Sequence, residues 1–581
     1  MPVNPAKYLA LTIAGAVSLG SYEAGAMYEM LDALRQHNEK VKADGDGTAV
    51  YVDVITGASA GGMTGTILAQ KLLFDGPAFV DAGGKSSPYD NPLYNCWVKR
   101  ISLEELLTAV DGPLPGGDPP TLSLLSSQLI ERIAAETLTD AAVDGVVPDL
   151  GAHAVVDDTH GIQLGLALTN LNGVNYGVTM SDGTQFKYTE YSDQMLRPLD
   201  RASRTEATWA ELREACVACG AFPVAFRTKD LTRARADYEA SDTLDAWPAD
   251  PYTFTYTDGG VLQNQPLGMA KNLVDEVDNH QGEDRRFYLF VSPNPVDGSQ
   301  DLDLTEANAN ILKVGERLIA VYMGQAMFRD WIAADAVNLQ VAALDERAVR
   351  LAQALAAGKV DAGALATASG QILDLLYANG EGGGASKERV GKVSVAESRE
   401  AANARLTTQY AAELAMLGGA GVPAGAAFLN GIQALEKAAN LGSRDMMRLY
   451  SLVIDPKLLA GAGISAFVGF FDERFRQHDY ERGRAETQKL LAQINQATDP
   501  GLGPIYYTPA AVTVDTTLDG LHLKAIDRGD VKTLKKGLTN RVNQILKAIA
   551  PNEAVYVAER LIADPALGLL LDWEFSRDVQ G

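Results

Sequence analysis

Between Tyr8 and Ala14 the chain reads Tyr-Leu-Ala-Leu-Thr-Ile-Ala, a nearly unbroken apolar run. A strand of a parallel sheet, covered on both faces, has this pattern. Beyond a turn at 15–20, Met27, Met30, Leu31 and Leu34 recur at helical spacing through about His37. Asp44-Gly45-Asp46-Gly47 reads as a loop, 51–56 as a second strand and 61–73 as a second helix. This alternation predicts a mainly parallel sheet with helices on both faces and right-handed crossovers. Residues 76–155 are irregular and rich in Pro and Gly at 113–120, with a helical stretch at 121–136; they read as an insertion that shapes a cleft. A third core strand is expected at 162–169, a hairpin at 176–188 turning on Asp182-Gly183, a helix at 208–219, and strands at 252–257 and 286–291 around a helix at 266–277. From about residue 303 the pattern becomes mostly helical, interrupted by the glycine-rich 378–386. The expected division is an α/β domain over 1–300 and a mostly helical region over 301–581.

Composition narrows the classes of function. The chain has 581 residues, 46% of them hydrophobic, enough for a large core. Its formal net charge of −25 argues against a nucleic-acid partner, which demands a basic face toward phosphates. The same charge argues against tight docking on anionic membranes. No run of 18 apolar residues predicts a membrane span. The apolar start after Lys7 resembles a short signal peptide, yet it runs straight into a glycine-bearing turn and reads better as a buried strand. The expected location is cytoplasmic, at most peripheral to a membrane. The three cysteines, Cys96, Cys216 and Cys219, supply no disulfide framework. Cys216 and Cys219 have the spacing of a redox or zinc pair but no second pair nearby. They share a helix face with Trp209 and Leu212, which predicts core thiols.

Gly57-Ala58-Ser59-Ala60-Gly61 follows the second strand and opens the second helix. G-x-S-x-G in that setting describes a nucleophile elbow, in which a sharp turn holds an exposed serine. Bulky side chains at Gly57 or Gly61 would collide with the chain on either side. Gly61, Gly65 and Ala69 recur every four residues, giving a smooth helix face toward the sheet. The helix N-terminus places partial positive charge beside the hydroxyl. The competing reading is an ordinary glycine-rich turn with a solvent-facing serine.

A serine nucleophile needs a proton acceptor. The six histidines are His37, His153, His160, His280, His478 and His522. In α/β-hydrolase order the histidine follows both other triad members, but His280 lies in a polar loop and His478 in a charged helical stretch, and neither reads as a βα-loop active-site residue. Asp258-Gly259-Gly260 is better placed, directly after the strand at 252–257, where open α/β sheets hold their sites. An aspartate with its ordinary pKa of about 4 is a weak base, so this one must be desolvated or act in concert with attack. An ordinary strand-ending Asp-Gly turn is the alternative. Gly15-Ala16-Val17-Ser18-Leu19-Gly20 follows the first strand and offers main-chain N–H groups to a developing oxyanion. It lacks the lysine of a P-loop, and Val17 stands where a dinucleotide fingerprint requires glycine.

These pieces, in this order, resemble the patatin-like phospholipases, including the larger bacterial members. The likeness extends over about 8–295 and takes in Ala218-Cys219-Gly220-Ala221-Phe222-Pro223 as the small-residue-then-Pro segment. Where that family usually has G-G-G-x-R/K-G, this chain has Ala16, Val17 and Leu19. The resemblance implies a three-layer α/β/α hydrolase with a Ser59–Asp258 dyad, no metal and no cofactor. It implies an acyl-enzyme on Ser59, with Asp258 as base, the 15–20 turn as oxyanion hole and Gly57, Gly61, Gly259 and Gly260 in support. The implied partner is a lipid or other acyl ester, met in transient contact with a membrane surface; a non-lipid esterase, an acyltransferase or a weakly catalytic lipid-binding scaffold are the alternatives. A second, shorter likeness covers 470–484, where Asp479, Arg482 and Arg484 are expected to form an ion-pair knot.

Overall fold

The computed structural model describes residues 5–74, 87–108, 123–138, 155–157, 160–179, 184–203, 205–238, 244, 247–278, 285–293, 339–378, 398–438, 447–462, 468–497, 501–519 and 528–549. The first elements are β1 (Lys7–Ile13), α1 (Gly20–Asp44), β2 (Val50–Gly57) and α2 (Ala60–Phe74). Then come β3 (Ile162–Thr179), β4 (Gln185–Leu199), α3 (Glu206–Cys219), β5 (Lys229–Arg233), β6 (Tyr252–Asp258), α4 (Leu267–Asp278) and β7 (Arg286–Ser292). Two later elements join the same body, β8 (Leu449–Val453) and α5 (Glu473–Gln496).

β1 lies at the centre of the sheet between β2 and β7, with β3 beyond β2 and β8 beyond β7, all parallel. Side chains alternate across β1 and sort into two cores, as a strand's two-residue period requires. Leu9, Leu11 and Ile13 face α1 and α2, while Ala10 and Ala14 face Leu267, Ala270 and Leu273 of α4. The result is the three-layer α/β/α sandwich that the alternating pattern predicts.

The antiparallel part positions the site. β3 pairs with β4 along one side for most of its length. On its other side it pairs first with β2, ending at Gly57 opposite Leu166, and then with β6, where Asp258 lies opposite Leu168. The ends of β2 and β6 therefore meet on one edge of β3, two residues or about 7 Å apart along the strand. Segments 199 residues apart in the chain are brought together by sharing that edge.

The strand expected at 162–169 and the hairpin expected at 176–188 are one continuous ribbon, β3 and β4; Asp182 and Gly183 lie outside the described residues. β5 and β8 were not expected. Most of the insertion at 76–155 lies outside the described residues, although helix Ser127–Thr137 is present as anticipated. The helical region beyond 301 shows its own apolar cluster, in which Ala348, Ala352, Leu406, Phe428 and Ile432 are buried together. No helix among the described residues is long and apolar enough to cross a membrane.

Candidate active site

Ser59 sits between the end of β2 and the start of α2 with φ of 51°, a left-handed conformation unfavourable for a residue with a side chain. Close approach around the turn explains its glycines. A Cβ on Gly57 would lie 2.4 Å from the carbonyl oxygen of Gly61, and a Cβ on Gly61 would lie 2.3 Å from that of Ile13. The turn thus presses against β1, and only hydrogen fits at both positions.

The Ser59 hydroxyl donates to Asp258 Oδ2 at 2.5 Å. The other carboxylate oxygen accepts the Gly260 N–H at 2.6 Å. Burial pushes the Asp258 carboxyl up from its ordinary 3.8 to about 7, against the opposing pull of the bonds from Ser59 and Gly260. A carboxylate in this state is a far better proton acceptor than a solvated one. Its own backbone is anchored on both sides: the Asp258 N–H donates to Ala221 O at 3.0 Å, and Thr169 Oγ1 donates to Asp258 O at 2.8 Å. The small-residue segment before Pro223 thus supplies the carbonyl that fixes the acid. Gly259 abuts β3, where a Cβ would lie 2.0 Å from Ala167 O, and a Cβ on Gly260 would meet Asn264 Oδ1 at 2.6 Å.

The 15–20 turn lies against Ser59, since a Cβ on Gly15 would lie 3.1 Å from Ser59 Cβ. Gly15 donates to Asn264 O, Leu19 to Ala16 O, and Gly20 to Val17 O and Ser18 O. The N–H groups of Ala16 and Val17 reach no acceptor among the described residues. Val17 is held at φ of 53°, which for a β-branched residue is strained. Ser18 and Leu19 are fully buried. The site therefore brings together a hydroxyl, a carboxylate able to take its proton and two open N–H donors in a neighbouring turn.

Residues 11–271 match the family described as patatin-like phospholipases. This segment is similar to the patatin-like domain and takes in both Ser59 and Asp258. A relative, an uncharacterized protein y4iI of Sinorhizobium fredii, is 24% identical over 406 residues, which cover 56% of this chain and 54% of the relative. The chain thus spans about half the length of the curated relative it matches. The patatin-like phospholipase family is one of lipid acyl hydrolases.

Other residues of the matched segment bear on the site without having been singled out in the sequence. Asn264 accepts the Gly15 N–H on its main-chain oxygen and donates from its side chain to Gly15 O at 3.4 Å, so it ties the Asp258 turn to the 15–20 turn. Its only sequence signal is its place between the Asp-Gly-Gly turn and Pro266. The Cys219 thiol lies beneath the elbow, 3.9 Å from both Gly57 O and Ser59 O. All three cysteines are free and buried, as expected of core thiols. His37 bonds Thr48 O, His160 approaches Asp157 and Tyr8, and His478 lies between Asp479 and Asp519. None of these three bonds Ser59 or Asp258; His153, His280 and His522 lie outside the described residues.

Proposed function

We propose that this chain is a serine acyl hydrolase of lipid esters, of the phospholipase A or lysophospholipase type. The short contact between Ser59 and a buried Asp258 whose proton affinity is tuned to about 7 carries the reading. Ser59 Oγ attacks the acyl carbonyl carbon as its proton passes to Asp258 Oδ2. The carbonyl oxygen takes up negative charge and is held by the N–H groups of Ala16 and Val17, with the partial positive charge of the α2 N-terminus close by. Collapse expels the alcohol, which takes the proton from Asp258, and leaves an acyl ester on Ser59. Water then attacks that ester, passing a proton to Asp258, which returns it to Ser59 as the fatty acid departs. No histidine among the described residues has a part in this cycle.

A panel of p-nitrophenyl esters of rising acyl length, run beside phospholipid and lysophospholipid vesicles, tests the substrate class. Long acyl chains and glycerophospholipids should be cleaved best, with Ser59→Ala as the blank. A strong preference for two-carbon acyl groups, with vesicles untouched, would place the chain among non-lipid esterases. No turnover of any ester by the wild-type chain would favour a binding scaffold.

A further inference from the structure

The charged run at 472–484 has no part in the hydrolytic cycle, yet it packs directly behind the 15–20 turn. α5 lies along α1 with main chain against main chain. A Cβ on Gly25 would lie 1.9 Å from Tyr480 O, and one on Gly483 would lie 2.1 Å from Tyr22 O. The expected knot of Asp479, Arg482 and Arg484 does not form. Arg484 pairs with Glu29 and Glu481, Arg482 pairs with Asp519, and Asp479 meets neither arginine but pairs with His478.

Asp479 is fully buried and takes the N–H groups of Ala460 at 2.8 Å and Gly461 at 2.9 Å. His478 Nδ1 lies 2.9 Å from the same carboxylate, and its Nε2 lies 2.9 Å from Asp519. One turn earlier on α5, buried Arg476 donates to Gly469 O at 3.0 Å, Phe470 O at 3.3 Å and Val98 O at 2.9 Å. One helix therefore pins two short stretches, 460–461 through their N–H groups and 469–470 through their carbonyls. Both stretches bear on the turn. A Cβ on Gly461 would lie 3.1 Å from Leu19 Cδ2, and one on Gly469 would lie 2.5 Å from Ser18 Oγ and 3.0 Å from Ser18 Cβ.

We infer that Asp479 and Arg476 are positioning residues for acyl transfer, clamping 460–461 and 469–470 onto Ser18 and Leu19 and so fixing the open N–H groups of Ala16 and Val17 where the oxyanion forms. The need for a clamp comes from the turn itself. Two of the glycines usual in the family are replaced here by Ala16 and Val17, and Val17 is held at positive φ. Strain of this kind persists only when the surroundings over-determine the conformation. The Ser18 and Leu19 side chains lie against the segment that α5 holds.

The inference rests on the Ser59 reading, and the experiment separates the two. The full chain and its Asp479→Asn, Arg476→Met and Gly469→Val variants are compared for ester hydrolysis and for inactivation by a fluorophosphonate, with thermal melting as the folding control. Gly469→Val leaves both buried charges in place and pushes on Ser18 from behind, so it decides the matter should either charge variant fail to fold. A misplaced oxyanion donor costs transition-state binding and spares ground-state binding. The folded variants should lose about a hundredfold in kcat and in the limiting inactivation rate, with KM and the inhibitor's half-saturation concentration within about twofold. A folded Gly469→Val protein with wild-type kcat overturns the inference, as does a loss expressed only in KM. Failure of the wild-type chain to be labelled at Ser59 would instead overturn the catalytic reading on which it stands.

Discussion

At the scale of single residues the proposed chemistry turns on one buried acid. Asp258 must be ionised to accept the Ser59 proton, and burial holds its carboxyl at about 7. As pH falls below 7 the carboxyl becomes protonated and the base is lost. kcat/KM on a soluble, non-ionising ester should therefore fall about tenfold per pH unit below 7 and level off above it. A profile flat down to pH 5 would mean that Asp258 is not the group that limits the reaction. The meeting of Ser59 with Asp258 was legible in the sequence because each stands at the end of an apolar strand and beside glycines that serve a tight turn. Asn264 was not legible, because its role lies in joining two turns that are adjacent only after folding. The partners of Asp479 were hidden for the same reason: two main-chain N–H groups, 18 and 19 residues away, leave no trace in side-chain identity.

At the scale of elements, the elbow is a packing problem before it is a catalytic device. Gly61 sits where a Cβ would strike the main-chain oxygens of Ile13 and Ala14, at 2.3 and 2.4 Å, whereas Gly65 meets only the Ile55 side chain at 3.0 Å. Gly61→Ala should destabilise the chain by about 1–3 kcal/mol in chemical denaturation, since β1 or the elbow must move. Gly65→Ala should cost far less, because Ile55 can shift and alanine favours the helix by up to about 1 kcal/mol over glycine. Equal stabilities for the two variants would contradict the close-packed elbow. Periodicity located β1, β2, β6 and β7 within a few residues, since each is strongly apolar and bounded by turn residues, whereas α1 runs on to Asp44, past the end expected near His37. It missed β5, whose Lys-Asp-Leu-Thr-Arg is mostly polar at the edge of the sheet, and β8, which follows a long alanine-rich stretch. The ribbon of β3 and β4 was read as two pieces because Asn170, Asn172 and Gly173 interrupt its apolar pattern. In the fold these residues form an irregularity in the pairing of the two strands, with Asn170 Oδ1 accepting the Asn172 and Gly173 N–H groups.

At the scale of the whole molecule, the groups proposed to react all come from the first 300 residues, while two elements packed against them come from farther along the chain. β8 extends the sheet beside β7, and α5 lies against α1 behind the 15–20 turn. A boundary near residue 300 was a natural reading of the sequence, because helical periodicity replaces alternation there. Pairing between strands some 160 residues apart cannot be read from local pattern. The central claim remains that Ser59 is the nucleophile and Asp258 its base. The most direct measurement is reaction with a fluorophosphonate followed by peptide mass spectrometry on the wild-type chain and on Ser59→Ala and Asp258→Asn. The account predicts a single adduct on Ser59, absent in Ser59→Ala and formed at least about a hundredfold more slowly in Asp258→Asn while its melting temperature is retained. An adduct on another serine, or undiminished labelling in Asp258→Asn, would contradict it.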